Sequence, residues 1–213
     1  MERITVNVIR NIYCVGRNYG LHAAELGNAI PDSPMIFMKP THAAVEMDGS
    51  VVSLPSGFGS VHYEAELVVR IGRPYTLGAT ADELINGFAL GIDLTMRDVQ
   101  DELKMKQHPW LKAKGFRASA PMTAFRPLAE PLAELAAHEF SLWINDSEKQ
   151  RGHIRDMIFD LQLLIDHIGD HYGLDQGDII FTGTPAGVGQ VYDGDRLELI
   201  WGDAVIGSCR IQL

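Results

Sequence analysis

Val61-His62-Tyr63-Glu64-Ala65-Glu66-Leu67-Val68-Val69-Arg70-Ile71 changes pattern half-way along, and that change decides the fold. Polar and apolar residues alternate as far as Glu66, after which an apolar run takes over. A strand presents alternate side chains to opposite faces, so the alternating half has one wet or functional face. The apolar half reads as strand covered on both sides. The run therefore carries a strand, Tyr63–Ile71, from a polar site into the core.

On such a strand His62, Glu64 and Glu66 point the same way. Two carboxylates held about 5 Å apart at an effective dielectric of about 20 repel by about 3 kcal/mol. Placing that pair beside an apolar run makes physical sense when a cation lies between them. The plainer alternative is a solvated strand face with Arg70 nearby.

Outward from this run, Pro and Gly punctuate further strands at Ile4–Ile9, Asn11–Val15, Met35–Met38 and Val51–Leu54. C-terminal strands follow at Asp178–Thr182, Arg196–Trp201 and Ala204–Ile211, the last two a hairpin through Gly202-Asp203. Helices are expected at Asn18–Leu26, with Asn18 as N-cap, and at Thr80–Asn86, where Thr80 and Glu83 have capping-box spacing. Two more are expected at Thr95–Lys106 and at Ile154–His171, where Met157, Leu161, Leu164, Ile165 and Ile168 recur at helical spacing. Strands grouped at both ends with helices between them give an α+β class with mixed or antiparallel sheets.

The chain has 213 residues, enough to bury a full core without staples. A net charge of −10 and the lack of a Lys/Arg cluster argue against nucleic acid as a partner. No apolar run approaches membrane-span length, and Met1–Val6 lacks a signal-peptide core, so a cytoplasmic protein is expected. Cys14 and Cys209 have no metal spacing and are expected as reduced, strand-borne thiols. Gly183–Gly189 (GTPAGVG) resembles a phosphate loop only superficially, because no GK[ST] follows.

Asp93 ends the apolar stretch Phe88–Leu94. It either caps the helix beginning near Thr95 or adds a third carboxylate to Glu64 and Glu66. Three carboxylates without Cys or paired His form a hard oxygen site, suited to Mg²⁺ or Mn²⁺ rather than Zn²⁺. Arg97, Gln100 and Lys104 fall on one helical face, with Lys104 the best suited of the three to solvent. Lys112 and Lys114 follow, and spacing does not decide which reaches a site. In an acidic protein, Arg17, Arg97 and Lys114 are the cations to watch for anionic substrates. His22 and Glu25, three apart, are either a surface pair or an oriented base.

Taken in order, Cys14-Val15-Gly16-Arg17-Asn18-Tyr19 with His22 and Glu25, Phe37-Met38-Lys39-Pro40, Ser60–Leu67, Asp93–Gln100, Lys114-Gly115-Phe116 and Thr182-Gly183-Thr184-Pro185 with Gly187-Val188-Gly189 resemble the fumarylacetoacetate hydrolase family. Arg97-Asp98-Val99-Gln100 and Pro109-Trp110 are closest to its short branch of acylpyruvases and oxaloacetate decarboxylases. The resemblance runs from about residue 10 to the C-terminus. It implies the family's mixed β-roll, one catalytic domain over residues 1–213, a homodimer, and Mg²⁺ or Mn²⁺ on Glu64, Glu66 and Asp93. It further implies a lid helix bearing His22 and Glu25, and a substrate site lined by Arg17, Arg97, Gln100, Lys114 and Thr184. Two departures stand out: Asn145-Asp146 replaces a common Asn-Gly turn, and Ala120 replaces a cysteine, which removes any nucleophile there.

The implied chemistry is that of 2-oxo acids. The metal would polarise the C2 carbonyl, while Lys114, Arg97 and Gln100 hold the carboxylate. His22, oriented by Glu25, would activate water to cleave an acylpyruvate, and oxaloacetate would lose CO₂ to the same enolate. Rivals are isomerisation or hydration of a 2-hydroxydienoate, and a non-catalytic binding protein.

Overall fold

In the computed structural model, which describes residues 9–20, 31–57 and 59–213, the deciding run forms two strands rather than one. The chain order begins with β1 (Ile12–Gly16), β2 (Met35–Lys39), β3 (Ala44–Glu46) and β4 (Asp48–Ser53). β5 (Val61–Tyr63) and β6 (Ala65–Ile71) follow, separated by Glu64 alone. Next come α1 (Ala81–Leu84), β7 (Ile85–Ile92), β8 (Thr95–Met96), α2 (Arg97–Met105) and α3 (Leu111–Lys114). After them lie β9 (Ala120–Met122), β10 (Arg126–Pro127), α4 (Pro131–Leu135), β11 (Phe140–Ile144), β12 (Ser147–Gly152) and α5 (Leu161–Tyr172). The chain closes with β13 (Ile179–Phe181), β14 (Gly189–Gln190), β15 (Arg196–Trp201) and β16 (Ala204–Gln212).

These strands make three sheets. The largest runs β2-β1-β13-β6-β7-β9-β3, with β10 beside β7. A five-stranded sheet runs β12-β11-β15-β16-β4, and a small one β14-β5-β8. Parallel pairs (β1 with β13, β3 with β9, β16 with β4) sit among antiparallel ones, so the α+β, mixed-sheet expectation holds.

β6 explains its own sequence. Leu67, Val69 and Ile71 enter one hydrophobic cluster, while Val68 enters a second with Ile12, Cys14, Ala89 and Phe181. Full burial of each such side chain stabilises by about 1.5–3 kcal/mol. A strand loaded on both faces has no room for alternation, which is why the pattern stops at Glu66.

Three helical expectations are revised by tertiary pairing. The capping box of Thr80 and Glu83 forms in both directions, yet α1 ends at Leu84 because Ile85 joins β7 against Ile71. Thr95 and Met96 pair with His62 and Val61, so α2 starts only at Arg97. The expected helix Ile154–His171 divides into a 3₁₀ turn, Ile154–Asp156, and α5. Asn18 enforces the division: its carbonyl accepts from Ile158 N–H and its Oδ1 accepts from Phe159 N–H, both at 2.8 Å. Asp160 then caps α5 by accepting from Leu163 N–H. Asn18 is thus a tether between segments, and the helix it was expected to cap lies mostly outside the described residues. Strand Ile4–Ile9 and helix Asn18–Leu26 fall mostly outside the described residues.

Cys14 and Cys209 are free and buried on β1 and β16, in different sheets. Among the described residues no helix is long and apolar enough to cross a membrane.

Candidate metal centre and active site

The break at Glu64 builds the site. Ala65 pairs with Ile92 at the end of the β6–β7 ladder, so the next residues outward, Glu64 and Asp93, face each other. Asp93 N–H donates to the Glu64 carbonyl at 2.8 Å and locks that approach. Glu66 lies two residues inward on β6. Their carboxylates offer one oxygen each within 4.8 Å of one another, and all three residues are buried (6%, 2% and 1% exposed for Glu64, Glu66 and Asp93). His62, expected on their face, instead belongs to the small sheet, where it is half-buried and outside the cleft lining.

Cations approach this triad from three elements. Lys114, at the end of α3, donates to Glu64 Oε2 at 2.7 Å, Asp93 Oδ2 at 2.6 Å and Thr95 Oγ1 at 2.6 Å. Lys112 is exposed on the same helix, which settles which lysine enters the site. Arg97 donates through Nη2 to Glu64 Oε1 at 2.6 Å and through Nη1 to Gln100 Oε1 at 2.6 Å. Lys39, at the end of β2, faces Asp93 Oδ1 at 2.7 Å and donates to the Lys114 carbonyl and, at 3.0 Å, to both Ser119 oxygens. In the sequence Lys39 stands out only as part of Phe37-Met38-Lys39-Pro40, with no local signal that it reaches the site.

The electrostatics follow from burial. Desolvation would depress Lys114, but the charges of Asp93 and Glu64 and the hydrogen bonds to both outweigh it, and its pKa is raised. Glu66 is pushed well above the usual carboxylate range, first by burial and then by Asp93 and Glu64. The Gly183 amide, donating to Glu66 Oε2 at 2.7 Å, opposes that shift. Gly183 has φ +102°, and a Cβ there would fall 2.7 Å from that of Asn18, so only glycine brings this amide to the carboxylate. The loop that looked like a phosphate cradle serves a carboxylate of the chain itself.

Ala65, between the two glutamates, is held by side chains. Gln150 Oε1 accepts from its N–H at 2.8 Å, and Thr184 Oγ1 donates to its carbonyl at 2.8 Å. Gln150 Nε2 then donates to Thr184 Oγ1 at 2.8 Å and closes a ring. Gln150 sits on β12 in the five-stranded sheet, and its part in the site had no local signal in the sequence.

The triad fits a metal. Glu66 is a buried carboxylate that takes an amide hydrogen bond and lies against two other carboxylates, an arrangement a divalent cation would relieve. The donor set is all oxygen, as hard cations require. Above it opens a cleft lined by Arg17, Arg97, Gln100, Lys104, Lys114 and Thr184 among polar groups and by Met35, Phe37 and Trp110 among apolar ones. Lys104, read as a solvent-facing lysine, thus borders the cleft. His22 and Glu25 lie outside the described residues.

A family model described as the fumarylacetoacetate (FAA) hydrolase C-terminal region matches residues 11–213. The chain belongs to the fumarylacetoacetate hydrolase family. Among the relatives of this family member, oxaloacetate tautomerase YcgM of Escherichia coli K12 is 39% identical over 89% of this chain and 87% of its own length. Human mitochondrial oxaloacetate tautomerase FAHD1 is 40% identical over 89% of this chain and 86% of its own. A solved family structure, fumarylpyruvate hydrolase from Pseudomonas aeruginosa in complex with Mn²⁺ and pyruvate, superposes with a TM-score of 0.86. It is 33% identical and covers 96% of this chain and 90% of that one.

Proposed function

We propose that this chain is a Mg²⁺- or Mn²⁺-dependent enzyme acting on oxaloacetate, whose keto and enol forms it interconverts. The observation that carries this reading is the buried Glu64–Glu66–Asp93 triad faced by Lys39, Lys114 and Arg97. Three carboxylates and three cations balance, so the charge of a divalent ion is left to attract an anionic substrate. Both relatives named above as oxaloacetate tautomerases support the choice of substrate.

A bound divalent ion would supply Lewis-acid polarisation of the C2 carbonyl. The protein's own groups do the rest. Arg97 and Gln100 bind and orient the C1 carboxylate at the rim. Lys114, held protonated by its two carboxylates, places positive charge beside the C2 oxygen as negative charge develops there and cannot serve as the base. Lys39 fixes Asp93 from behind. We assign proton exchange at C3 to His22, oriented by Glu25. The same reading carries a homodimer in the cytoplasm, checked by light scattering and by fractionation.

C–C cleavage of an acylpyruvate is the second reading, favoured by the fumarylpyruvate hydrolase neighbour with pyruvate bound. It starts from the same enolate-stabilising groups. One assay separates the two: the ultraviolet absorbance of the oxaloacetate enol and the release of pyruvate, followed together with Mn²⁺-loaded protein. Accelerated enol decay without pyruvate supports tautomerisation. Pyruvate from an acylpyruvate supports cleavage, and neither signal overturns the proposal.

A further inference from the structure

Two cations in the cleft are not spent on the triad. Lys39, Lys114 and Arg97 each face Glu64 or Asp93. Arg17 and Lys104 line the same cleft, and among the described residues neither forms an ion pair with any of the three carboxylates. Arg17 is held at φ +59°, a left-handed conformation that costs a side-chain-bearing residue on the order of 1 kcal/mol. The neighbouring Asn18, fully buried, bonds Phe159 and Thr182 and fixes the chain there. Strain of this kind persists where surrounding structure imposes it, most often at ligand sites.

Lys104 stands two turns beyond Arg97 on α2, about 10 Å along the helix axis, on the same face. Its ammonium lies 5.9 Å from the Trp110 ring centroid and 3.6 Å from Asp101 Oδ1. That carboxylate is mostly exposed and too distant for a full charge-assisted hydrogen bond. The Lys104 pKa is lowered, by burial first, with Asp101 opposing and Arg97 and Arg17 adding to the shift. Arg17 therefore lies close enough to repel it, and an anion between the two relieves that repulsion.

We propose that Arg17 and Lys104, flanked by Trp110, form a second anion subsite that receives the far carboxylate of a dianionic 2-oxo acid. The inference rests on the 2-oxo acid reading of the site. Arg97 and Gln100 take the near carboxylate, and Arg17 with Lys104 takes the other. The cleft then selects dicarboxylates over monoanions of equal length. It also gives Lys104 a role that helical spacing alone assigned to solvent.

Calorimetric titration of the Mn²⁺-loaded full chain with oxaloacetate and with 2-oxobutanoate tests this, because the two differ only in the far carboxylate. The wild type is expected to prefer oxaloacetate by about ten-fold or more, the value of one charged contact. Lys104→Met, on a half-exposed helix face that tolerates substitution, should erase most of that preference and leave 2-oxobutanoate within about two-fold. Arg17→Gln should do the same, and higher ionic strength should erode the preference in the wild type. An unchanged ratio in Lys104→Met, or equal weakening of both ligands, overturns the subsite. Preferential binding of oxaloacetate without any turnover would overturn the proposed reaction and leave the subsite standing.

Discussion

Gln150 Nε2 donates to Thr184 Oγ1 at 2.8 Å and joins two sheets across the backbone of Ala65. Both backbone polar groups of Ala65, which stands between Glu64 and Glu66, are held by this ring. The strand break that lets two neighbouring glutamates converge is therefore maintained by side chains from β12 and from the loop after β13. Gln150→Met keeps the volume and leaves Ala65 N–H buried without a partner, which costs about 1–3 kcal/mol. Calorimetry on the folded variant should show Mn²⁺ affinity reduced by about ten-fold. Thr184→Val should do likewise, and the double variant should be little worse than either single one, since each opens the same ring. Lower thermal stability with unchanged Mn²⁺ affinity would reduce the ring to scaffolding.

Glu66 trades stability for binding. Its pKa is raised well above the ordinary carboxylate range, so the metal-free chain holds it against burial and two like charges. Glu66→Gln keeps the oxygen that accepts from Gly183 N–H and removes the titrating acid. The metal-free variant is expected to be as stable as the wild type or more so, by about 1 kcal/mol. Added Mn²⁺ should raise the melting temperature of the wild type, as binding to the native state alone must, and should no longer do so in the variant. A variant that still gains from Mn²⁺ would remove Glu66 from the ligand set.

The carboxylate triad was legible because the alternation at His62–Glu66 and the apolar approach to Asp93 are both local signals. Lys39 was half legible: a lysine closing the apolar strand Met35–Lys39 has nowhere to go but a buried carboxylate. Gln150 was not, because Ser147–Gly152 reads as an ordinary exposed hairpin strand and its partners lie 34 and 85 residues away. The helical expectations at Thr95 and Ile85 failed for one reason. Local capping propensity is worth about 1 kcal/mol, and joining a buried sheet outweighs it.

The turn at Asn145-Asp146 makes a separate stability test. It links β11 to β12 with both residues left-handed, φ +49° and +66°, as a two-residue type I′ hairpin demands. Glycine suits the second position better than aspartate. Asp146 also accepts from Arg196 Nη2 at 2.6 Å, but it is 84% exposed, and such pairs contribute little. Arg196 keeps Glu198 at 2.8 Å in any case. Asp146→Gly should therefore stabilise by about 0.5 kcal/mol, a rise of about 1–2 °C in melting temperature for a chain of this size. A fall in melting temperature would give the surface pair more weight than the turn.

The two thiols should be silent in the native protein. Cys209 is pushed up to about 12 by burial, and Cys14 is raised well above its ordinary value, by burial first and then by the charges of Asp93 and Glu66. Only the thiolate attacks a disulfide reagent, and at pH 8 both sulfurs remain protonated and shielded. Titration with an aromatic disulfide reagent should find no fast-reacting thiol in the folded chain and two after denaturation, matching the free cysteines on β1 and β16. Raising the pH toward 9 should not open either site, because Cys209 stays well below half-ionised there and neither sulfur gains access to solvent. One thiol reacting at the rate of a free cysteine at pH 8 would mean that β1 or β16 opens locally. If Mn²⁺ then slowed that reaction, the opening would be at β1, since Cys14 feels the charges of Asp93 and Glu66 and Cys209 does not.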